Sequence, residues 1–331
     1  MVVNMCKNDD NITVSVIIPV FNEEKYIDGC IQSLINQTFS LNEMEWIFID
    51  GNSNDSTREI IRGYEDCYPI KLLINERKKT PISLNMGINM ARGKYIARMD
   101  AHAKFPPEYI EQCIKCIEET EADNVGGYVD TKATGLIGNA VAKMLSSKFG
   151  VGGSEFRLGE YQGYVDTVPF GFFKREIFAN IGLFNEELLR SEDNDINARI
   201  INSGGRVYLS KDIHSDYYCR DTVGGILKQG MQNGNALFKT LRVNPSAMKI
   251  RHYIPFIFLL SLIIMPIGAI WFWPIGYLFI LEMVLYLLLD IYYSFSHNNR
   301  KLGFITIWLF PLFHISYGIG SLLGLLNIKM Y

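Results

Sequence analysis

Apolar runs of two different periods alternate over the first third of the chain. The run Thr13-Val-Ser-Val-Ile-Ile-Pro-Val is almost continuously apolar and β-branched, which predicts a strand buried on both faces. A helix is predicted to open at Asn22-Glu23-Glu24, because apolar residues then recur at helical spacing up to Ile35. Further strands are predicted over 46–49, 71–74 and 95–99, and helices from Thr57 and over 82–91. Strands that alternate with helices indicate an α/β fold, with a mostly parallel sheet flanked by helices.

The middle of the chain has a weaker pattern. Between Gly126 and Gly171 glycines are frequent and no period is clear, which indicates loops that shape a binding cleft. After this stretch, helices are predicted over 173–181 and 194–201, and a strand over 207–210.

Three long apolar stretches dominate the last part of the chain, at 253–270, 275–293 and 303–326. Each approaches the roughly 20 residues that a helix needs to cross a bilayer. Lys249 and Arg251 precede the first stretch, and Arg300 and Lys301 lie between the second and the third. The positive-inside rule then places residues 1–250 and 294–302 in the cytoplasm and the C-terminus outside.

We therefore predict a cytosolic domain over residues 1–250 and an α-helical membrane domain with about three transmembrane helices over residues 251–331. Two alternatives stay open for the apolar stretches. In the first, the stretches form helices that are buried in a soluble protein. In the second, one stretch, around Pro311, lies in the membrane plane or re-enters the membrane. The spacing Gly320-x-x-x-Gly324 permits a close helix contact, although glycines are frequent in apolar helices in any case.

Composition narrows the class of protein. A chain of 331 residues suits one large or two smaller units. The net charge of -3, with no basic block or stripe, gives no case for a nucleic-acid partner. Cys113 and Cys116 form a CxxC without a second metal-binding pair, so we interpret the six cysteines as free thiols of a reducing cytosol. Residues 1–10 lack an apolar signal core, so no cleaved export peptide is predicted.

Candidate chemistry lies where predicted strands end. Asp50 closes one apolar run and Asp100-Ala101-His102 closes another, and ligands of α/β sheets bind at the carboxyl ends of strands. Asp100 offers a hard oxygen ligand and His102 an imidazole, a pair suited to Mn more than Mg. The alternative is an Asp that caps a turn beside an exposed His.

Glu192-Asp193 forms a third acidic position. Asp193 is a candidate general base, and Glu192 would help to hold an acceptor or raise the proton affinity of Asp193 by like-charge repulsion. The alternative is a solvated acidic turn, because Asp195 adds another carboxylate. Asp50 would accept a hydrogen bond from a base or a ribose, or it simply starts the turn at Gly51.

Several motifs occur in a family-like order. They are Val16-Ile-Ile-Pro-Val-Phe-Asn-Glu-Glu, Phe48-Ile-Asp-Gly-Asn-Ser-Asn-Asp-Ser-Thr, Asn85-Met-Gly, Ala91-Arg-Gly-Lys-Tyr-Ile-Ala-Arg-Met-Asp-Ala-His-Ala and Ser191-Glu-Asp. Over residues 13–240 this order resembles the family 2 glycosyltransferases, and most closely their succinoglycan glucosyltransferase-type branch of exopolysaccharide synthesis. The resemblance implies a GT-A fold, a nucleotide-sugar donor, a divalent metal and inversion at the anomeric carbon.

The resemblance also implies roles for particular residues. Those that would line the nucleoside pocket are Pro19, Val20, Glu23 and Asp50, and those that would border the diphosphate are Asn85, Gly87 and Arg98. Asp100 and His102 would hold the divalent metal, Mn or Mg, at the donor, and Asp193 would be the base. Phe170 and Gly171 resemble the family's loop below the acceptor sugar, beside Glu192.

The chain departs from the family pattern in three places. Ile49 stands where many members have the first Asp of Asp-Asp-Gly-Ser, so contacts with the nucleobase would differ. His102 replaces the usual second Asp, which leaves the identity of the metal open. The Gln-x-x-Arg-Trp motif of processive synthases is missing, which favours transfer of one sugar per encounter.

The resemblance implies a hexosyltransferase of the cell membrane whose catalytic domain faces the cytoplasm. Its donor would be a nucleotide sugar, with UDP favoured, and its acceptor a polyprenyl-linked saccharide in exopolysaccharide or capsule synthesis. Two alternatives remain: polyprenyl phosphate as the acceptor, and a non-catalytic scaffold that binds nucleotide sugars at the membrane.

Overall fold

The computed structural model describes residues 11–159, 161–296, 299–328 and residue 330. The ten N-terminal residues, on which the prediction about an export peptide rests, lie outside the described residues. The chain divides into two compact units. The first runs up to Asp130 and includes Gly159–Tyr217; the second combines Thr131–Leu158 with the residues from Tyr218 onward.

The first unit is built on a nine-stranded sheet with the order β3-β2-β1-β4-β8-β6-β9-β5, in which β7 pairs with β9. The strands are β1 Val14–Val20, β2 Met44–Asp50, β3 Ile70–Ile74, β4 Tyr95–Arg98, β5 Ala103–Lys104, β6 Asn124–Lys132, β7 Gly163–Tyr164, β8 Phe172–Lys174 and β9 Val207–Tyr218. Strands β1 and β2 are buried along almost their whole length, as their continuous apolar runs predict.

Helices cover the sheet of the first unit. They are α1 Ile27–Ile35, α2 Thr57–Arg62, α3 Thr80–Met90, α4 Tyr109–Thr120, α8 Ile177–Ile181 and α9 Glu192–Asn202. Helix α3 packs closely on β1, because a Cβ built on Gly87 would lie 2.5 Å from Ile17 Cγ2. Helices α1, α2 and α3 confirm, within a few residues, the helices predicted from Asn22, from Thr57 and over 82–91.

The sheet is mixed, which corrects the expectation of a mostly parallel sheet. Strands β3, β2, β1 and β4 are parallel neighbours, whereas β8 pairs antiparallel with both β4 and β6, and β9 pairs antiparallel with β5 and β7. The stretch predicted as a helix over 173–181 also divides into strand β8 and helix α8. The apolar pattern identified β1 and β2 because their runs are almost continuously apolar, whereas two adjacent glycines interrupt β6.

The loop predicted between residues 126 and 171 contains a strand and a long helix, β6 and α5 Gly135–Leu145. The loop prediction was wrong here because Gly126 and Gly127 lie where β6 closely approaches other parts of the chain, and not in a turn. A Cβ on Gly127 would lie 1.9 Å from Ile213 O, and one on Gly126 would lie 2.6 Å from Val168 Cβ. Glycine inside a strand often has this role.

The second unit is helical. Its helices are α5, α6 Lys148–Val151, α7 Glu155–Leu158, α10 Val223–Val243, α11 Ile250–Trp271, α12 Pro274–Phe295 and α13 Arg300–Leu325. The last three are long and apolar enough to cross a membrane, and they correspond to the three predicted stretches. Residues 131–158 and 218–249, which the sequence assigned to the cytosolic domain, belong to this unit.

The contact of Gly87 with β1 gives a stability prediction. We expect Gly87→Ala to lower the free energy of unfolding by about 1–3 kcal/mol, because the added methyl overlaps the buried Ile17 side chain. Gly29→Ala in α1 is the matched control: nothing lies within 4 Å of its Cβ, so a gain of up to about 1 kcal/mol in helix propensity is expected. Thermal unfolding in detergent measures both, and equal shifts would contradict the packing role.

Candidate active site

The three neighbouring strands β2, β1 and β4 end at one edge of the sheet, and the predicted donor residues lie there. Asp50 is the last residue of β2 and is paired in register with Val20, the last residue of β1. Asp100 follows β4 by two residues. Pro19 lies one position before Val20 and is partly exposed. The structure therefore brings the predicted nucleoside residues and the metal residue to the same edge.

Asp50 is fully buried and its carboxylate is held by its own turn. It accepts hydrogen bonds from Ser53 N at 3.0 Å and from Ser53 Oγ, and Arg58 Nε lies 3.3 Å away. The sequence left two roles open for Asp50, a ligand-binding residue or a residue that starts the turn. The contacts seen in the structure are those of the turn. Recognition of a base or ribose by Asp50 stays a prediction.

Arg98 is the centre of the acidic site. Its side chain is 7% exposed, and its guanidinium contacts Glu192 Oε1 at 3.1 Å and Asp193 Oδ1 even more closely. Asp100 Oδ1 lies 3.6 Å from Arg98 Nε. Residues more than ninety positions apart thus share one buried cation. The sequence predicted Arg98 beside the diphosphate but did not predict that it joins the predicted base to the predicted metal ligand.

The electrostatics of this cluster favour a base that titrates near neutrality. Burial raises the pKa of Asp193 to about 7, and the charges of Glu192 and Asp100 act in the same direction while Arg98 opposes them. Burial alone would lower the pKa of Arg98, but the three carboxylates raise it, so the guanidinium stays charged. The Asp193 side chain keeps 26% exposure, so its carboxylate is not fully enclosed by Arg98 and Glu192.

Helix α9 places both carboxylates in its first turn. Ser191 precedes the helix in the left-handed region, at φ 63°, and turns the chain so that Glu192 and Asp193 open the helix next to Arg98. The positive end of the helix dipole favours negative charge at these positions. The alternative of a freely solvated acidic turn does not describe these side chains, since Arg98 binds both.

His102 is oriented by a carboxylate. Its Nδ1 lies 3.0 Å from Glu23 Oε1, and the two side chains are 37% and 18% exposed. Glu23, predicted in the nucleoside pocket, therefore contacts the predicted metal residue. Carboxylates commonly orient metal-binding imidazoles through the second ring nitrogen in this way.

The residues present fit a divalent metal. Asp100 is 22% exposed, and its distance to Arg98 Nε exceeds that of a hydrogen bond, so a carboxylate oxygen is accessible beside an oriented imidazole. Across the part of the chain that the structure describes, no group of three His, Cys, Asp or Glu side chains is arranged to hold a metal ion. A donor diphosphate and water would complete the shell, as they commonly do for Mg²⁺.

The predicted acceptor loop is joined to the acidic site through the backbone. Gly171 O accepts a hydrogen bond from Arg98 N at 3.0 Å, and Phe170 O accepts one from Tyr109 Oη at 3.2 Å. Phe170 has φ 48°, a strained conformation of the kind that clusters at functional sites. A Cβ on Gly171 would lie 2.6 Å from Asn124 Oδ1, so a larger residue would displace the loop.

Asn85 and Gly87 have packing contacts in this structure. Both amide atoms of Asn85 bond the backbone of Phe184, with Nδ2 donating to its carbonyl and Oδ1 accepting from its N–H, each at 2.9 Å. Gly87 faces Ile17 of β1. Their predicted place beside the diphosphate stays a prediction.

Asn197 and Arg199 on α9 make side-chain contacts that were not predicted from the sequence. Asn197 is fully buried and donates to Thr167 Oγ1 at 3.0 Å and Val168 O at 3.2 Å, directly before the acceptor loop. Arg199 pairs with Asp195 at 2.9 Å and donates to the carbonyls of Ile181 and Leu183. The sequence did contain one signal for Asn197, since this polar residue lies on the buried side of the helix predicted over 194–201.

Comparison with known proteins identifies the family. Residues 15–182, slightly more than half of the chain, match the family described as Glycosyl transferase family 2. The chain belongs to this family. The family 2 resemblance seen in the sequence motifs is thereby confirmed, and the chain is a glycosyltransferase.

Two relatives cover most of this family 2 chain. A protein of Methanococcus voltae named dolichyl N-acetyl-alpha-D-glucosaminyl phosphate 3-beta-D-2,3-diacetamido-2,3-dideoxy-beta-D-glucuronosyltransferase is 28% identical over 316 residues, which are 92% of this chain and 95% of the relative. Succinoglycan biosynthesis protein ExoA of Rhizobium meliloti (strain 1021) is 26% identical over 243 residues, 72% of this chain and 73% of its own.

Solved structures share the fold. The mannosyltransferase PcManGT from Pyrobaculum calidifontis, in complex with GDP-Man and Mn²⁺, superposes with a TM-score of 0.63 at 16% identity, over 96% of this chain and 88% of its own. S. aureus TarS 1-349 in complex with UDP-GlcNAc has a TM-score of 0.53 at 15% identity, over 96% and 92%. The fold is thus GT-A-like, with a curled mixed sheet and flanking helices.

The shared guanidinium gives a prediction for stability. We expect Arg98→Met to lower the free energy of unfolding by about 3–5 kcal/mol, because it leaves buried carboxylates without a counter-charge. Adding Asp193→Asn should recover about 0.5–3 kcal/mol of that loss as coupling. A double-mutant cycle by thermal or urea unfolding measures the coupling, and strictly additive effects would contradict the cluster.

Proposed function

We propose that this glycosyltransferase moves a hexose from a nucleotide sugar, with UDP as the favoured nucleotide, to a lipid-linked saccharide in the assembly of a surface polysaccharide. The observation that supports this most is the convergence of Asp100, Glu192 and Asp193 on Arg98. It brings a candidate base and a candidate metal ligand into one site of a family 2 enzyme.

The choice of acceptor is supported by the relatives. The name of the Methanococcus voltae protein describes transfer to a dolichyl-phosphate sugar, and that protein is similar to this chain over nearly its whole length. ExoA is named for succinoglycan biosynthesis. Three helices long and apolar enough to cross a membrane suit an acceptor that resides in the bilayer. We place the transfer at the cytoplasmic face of the cell membrane, as the basic residues around the apolar helices favour.

In the proposed mechanism Asp193 removes the proton of the acceptor hydroxyl as that oxygen attacks the anomeric carbon. The bond from this carbon to the nucleotide diphosphate breaks on the opposite face, so the anomeric configuration inverts. Arg98 holds Asp193 in place and balances part of the negative charge of the site. Glu192 raises the pKa of Asp193 and so makes it a better proton acceptor at neutral pH.

Asp100 and His102 would hold the divalent metal, with Glu23 orienting the imidazole. When bound, the metal supplies charge neutralisation to the departing diphosphate. The solved structure with GDP-Man and Mn²⁺ supports a divalent metal at a donor of this fold. Mn suits the carboxylate and imidazole pair somewhat better than Mg.

The decisive experiment compares two neighbouring substitutions on α9. Membranes that contain the full chain are incubated with a panel of nucleotide sugars, extracted lipid-linked acceptors and Mn²⁺ or Mg²⁺, and product mass and linkage are measured. We expect Asp193→Asn to lower the transfer rate by about 10²–10⁴-fold because the base is lost. Nucleotide binding should remain.

Asp195→Asn is the control, because Asp195 is buried and pairs with Arg199 outside the acidic site. It should lower thermal stability and leave the transfer rate per folded molecule within a few-fold. Full activity of Asp193→Asn would contradict the base, and would point instead to polyprenyl phosphate as the acceptor, since an ionised phosphate needs no base. If no donor supported transfer, the result would contradict the glycosyltransferase proposal and favour the alternative of a non-catalytic scaffold that binds nucleotide sugars.

The raised pKa of Asp193 also predicts a pH profile. Because a base must be ionised to accept a proton, kcat/KM should fall about tenfold per pH unit below pH about 7. Glu192→Gln removes a negative neighbour that raises this pKa, so the acid limb should move to lower pH. Glu187→Gln, at an exposed position before α9, is the control and should leave the limb unchanged. An unmoved or raised limb in Glu192→Gln would contradict the assignment.

A further inference from the structure

The three apolar helices of the second unit differ in how much protein covers them. In α13, 44% of the most apolar segment is buried, against 11% in α11 and 6% in α12. A helix that crosses a bilayer among few neighbours leaves most of its surface to lipid, as α11 and α12 do. Helix α13 is instead covered over nearly half of this segment by other parts of the unit.

Helices α11 and α12 form a hairpin. Phe258 stacks on Tyr286 at 4.4 Å, and Ser261 Oγ donates to Glu282 Oε1 at 2.7 Å. Near the turn, a Cβ on Gly268 would lie 3.1 Å from Ile275 Cδ1. The buried residues of α11 are Phe256 and Leu259, and those of α12 are Asp290 and Ser294. All four lie in the halves away from the turn.

The side-chain contacts described between α13 and the hairpin lie in this half. A Cβ on its Gly303 would lie 2.6 Å from Phe295 Cδ1, and its His314 Nδ1 lies 2.9 Å from Tyr286 Oη. Its Gly318 then meets Pro255 and Leu259, close to the start of α11. If α13 continued along α12 from Gly303, its rise of about 1.5 Å per residue would bring its far end to the hairpin turn. Gly318 instead lies beside the first half of α11.

The second half of α13 is packed against α10 at backbone contact. A Cβ on Gly234 would lie 2.0 Å from Tyr317 O, and a Cβ on Gly320 would lie 2.1 Å from Met231 O. A Cβ on Gly324 would lie 2.4 Å from Asn235 O. The spacing of Gly320 and Gly324 thus marks a close helix contact, and the partner is α10.

Hydrogen bonds fix the end of α13 to the same helix. Asn235 Nδ2 donates to Ile328 O at 2.9 Å, and Arg242 Nη2 donates to Leu325 O at 2.8 Å. Helix α10 is too polar for hydrocarbon, because it contains Lys228, Gln229, Gln232, Asn233, Asn235, Lys239 and Arg242. It also precedes the first apolar helix. The end of α13 therefore lies on the side of the bilayer from which the chain enters at Ile250.

We propose that only the α11–α12 hairpin crosses the bilayer and that α13 lies along the membrane surface. Its exposed side forms one apolar stripe, which we call the α13 stripe: Phe304, Trp308, Leu312, Ile319 and Leu326. The partner of this stripe is the boundary between lipid headgroups and acyl chains. Tryptophan favours this depth, and Arg300 and Lys301 at the start of the helix favour anionic headgroups.

Helix α5 supports this placement. Lys143 Nζ donates to Ser294 O at 2.5 Å, at the end of α12 where Asp290 and Ser294 are buried. A lysine, a carboxylate and a hydroxyl at one helix end are typical of the membrane–water boundary and not of the bilayer centre. This end of α12 is the one beside Gly303 at the start of α13.

Three crossings would place the two ends of the chain on opposite sides of the membrane, whereas two crossings place them on the same side. The side of each end can be measured with epitope tags, independently of the glycosyl transfer reaction. The full chain is expressed with epitope tags before residue 1, within the turn around Trp271–Pro274, and after residue 331. In sealed vesicles of known orientation, protease should reach the first and third tags from the same side and the turn tag from the other. A third tag on the side opposite to the first would overturn the proposal.

A matched pair of substitutions tests the depth of α13. Leu312 is 43% exposed at the middle of α13, and Leu281 is 53% exposed near the middle of α12. We expect Leu312→Arg to keep the membrane-inserted amount within about twofold, because arginine at the surface reaches headgroups, and Leu281→Arg to lower it at least tenfold. Equal losses from the two substitutions would contradict a surface helix.

Discussion

The acidic site depends on the buried charge of Arg98. A guanidinium with so little exposure requires anionic partners, and Asp100, Glu192 and Asp193 supply them. The dependence is mutual, because three carboxylates at this distance would repel one another without the cation. The end of β4 and the start of α9 are therefore held together by one interaction, and the loop at Gly171 joins them through the Arg98 amide.

The same arrangement gives two of these carboxylates different surroundings. Asp100 lies at the rim and is partly exposed, whereas Asp193 bonds Arg98 beside a second acid. Burial and like charge raise the pKa of Asp193, while Arg98 and the start of α9 act against them. The balance between these opposing effects sets the pKa of Asp193.

Close backbone contacts at glycine recur in both units. In the first unit Gly127 lets β6 approach Ile213, and Gly87 lets α3 approach β1. In the second unit Gly234 and Gly320 let α10 and the second half of α13 touch. A side chain at any of these positions would separate the elements. The same residue type thus supports the sheet whose edge contains Asp50 and Asp100 and a helix pair that, on our proposal, lies at the membrane surface.

Much of this could be read from the order of residues. Long apolar runs identified β1 and β2, because burial on both faces leaves little freedom in residue type. Apolar stretches of about 20 residues identified the last three helices. Motif order identified the family, and the ends of strands indicated Asp50, Asp100 and His102. The pairing of Arg98 with Glu192 and Asp193, the contact of Glu23 with His102, and the strand at Asn124–Lys132 could not be read in this way. Local sequence fixes which residues are apolar or charged, but partners far apart along the chain are chosen by packing, where one glycine or one buried cation determines which surfaces meet.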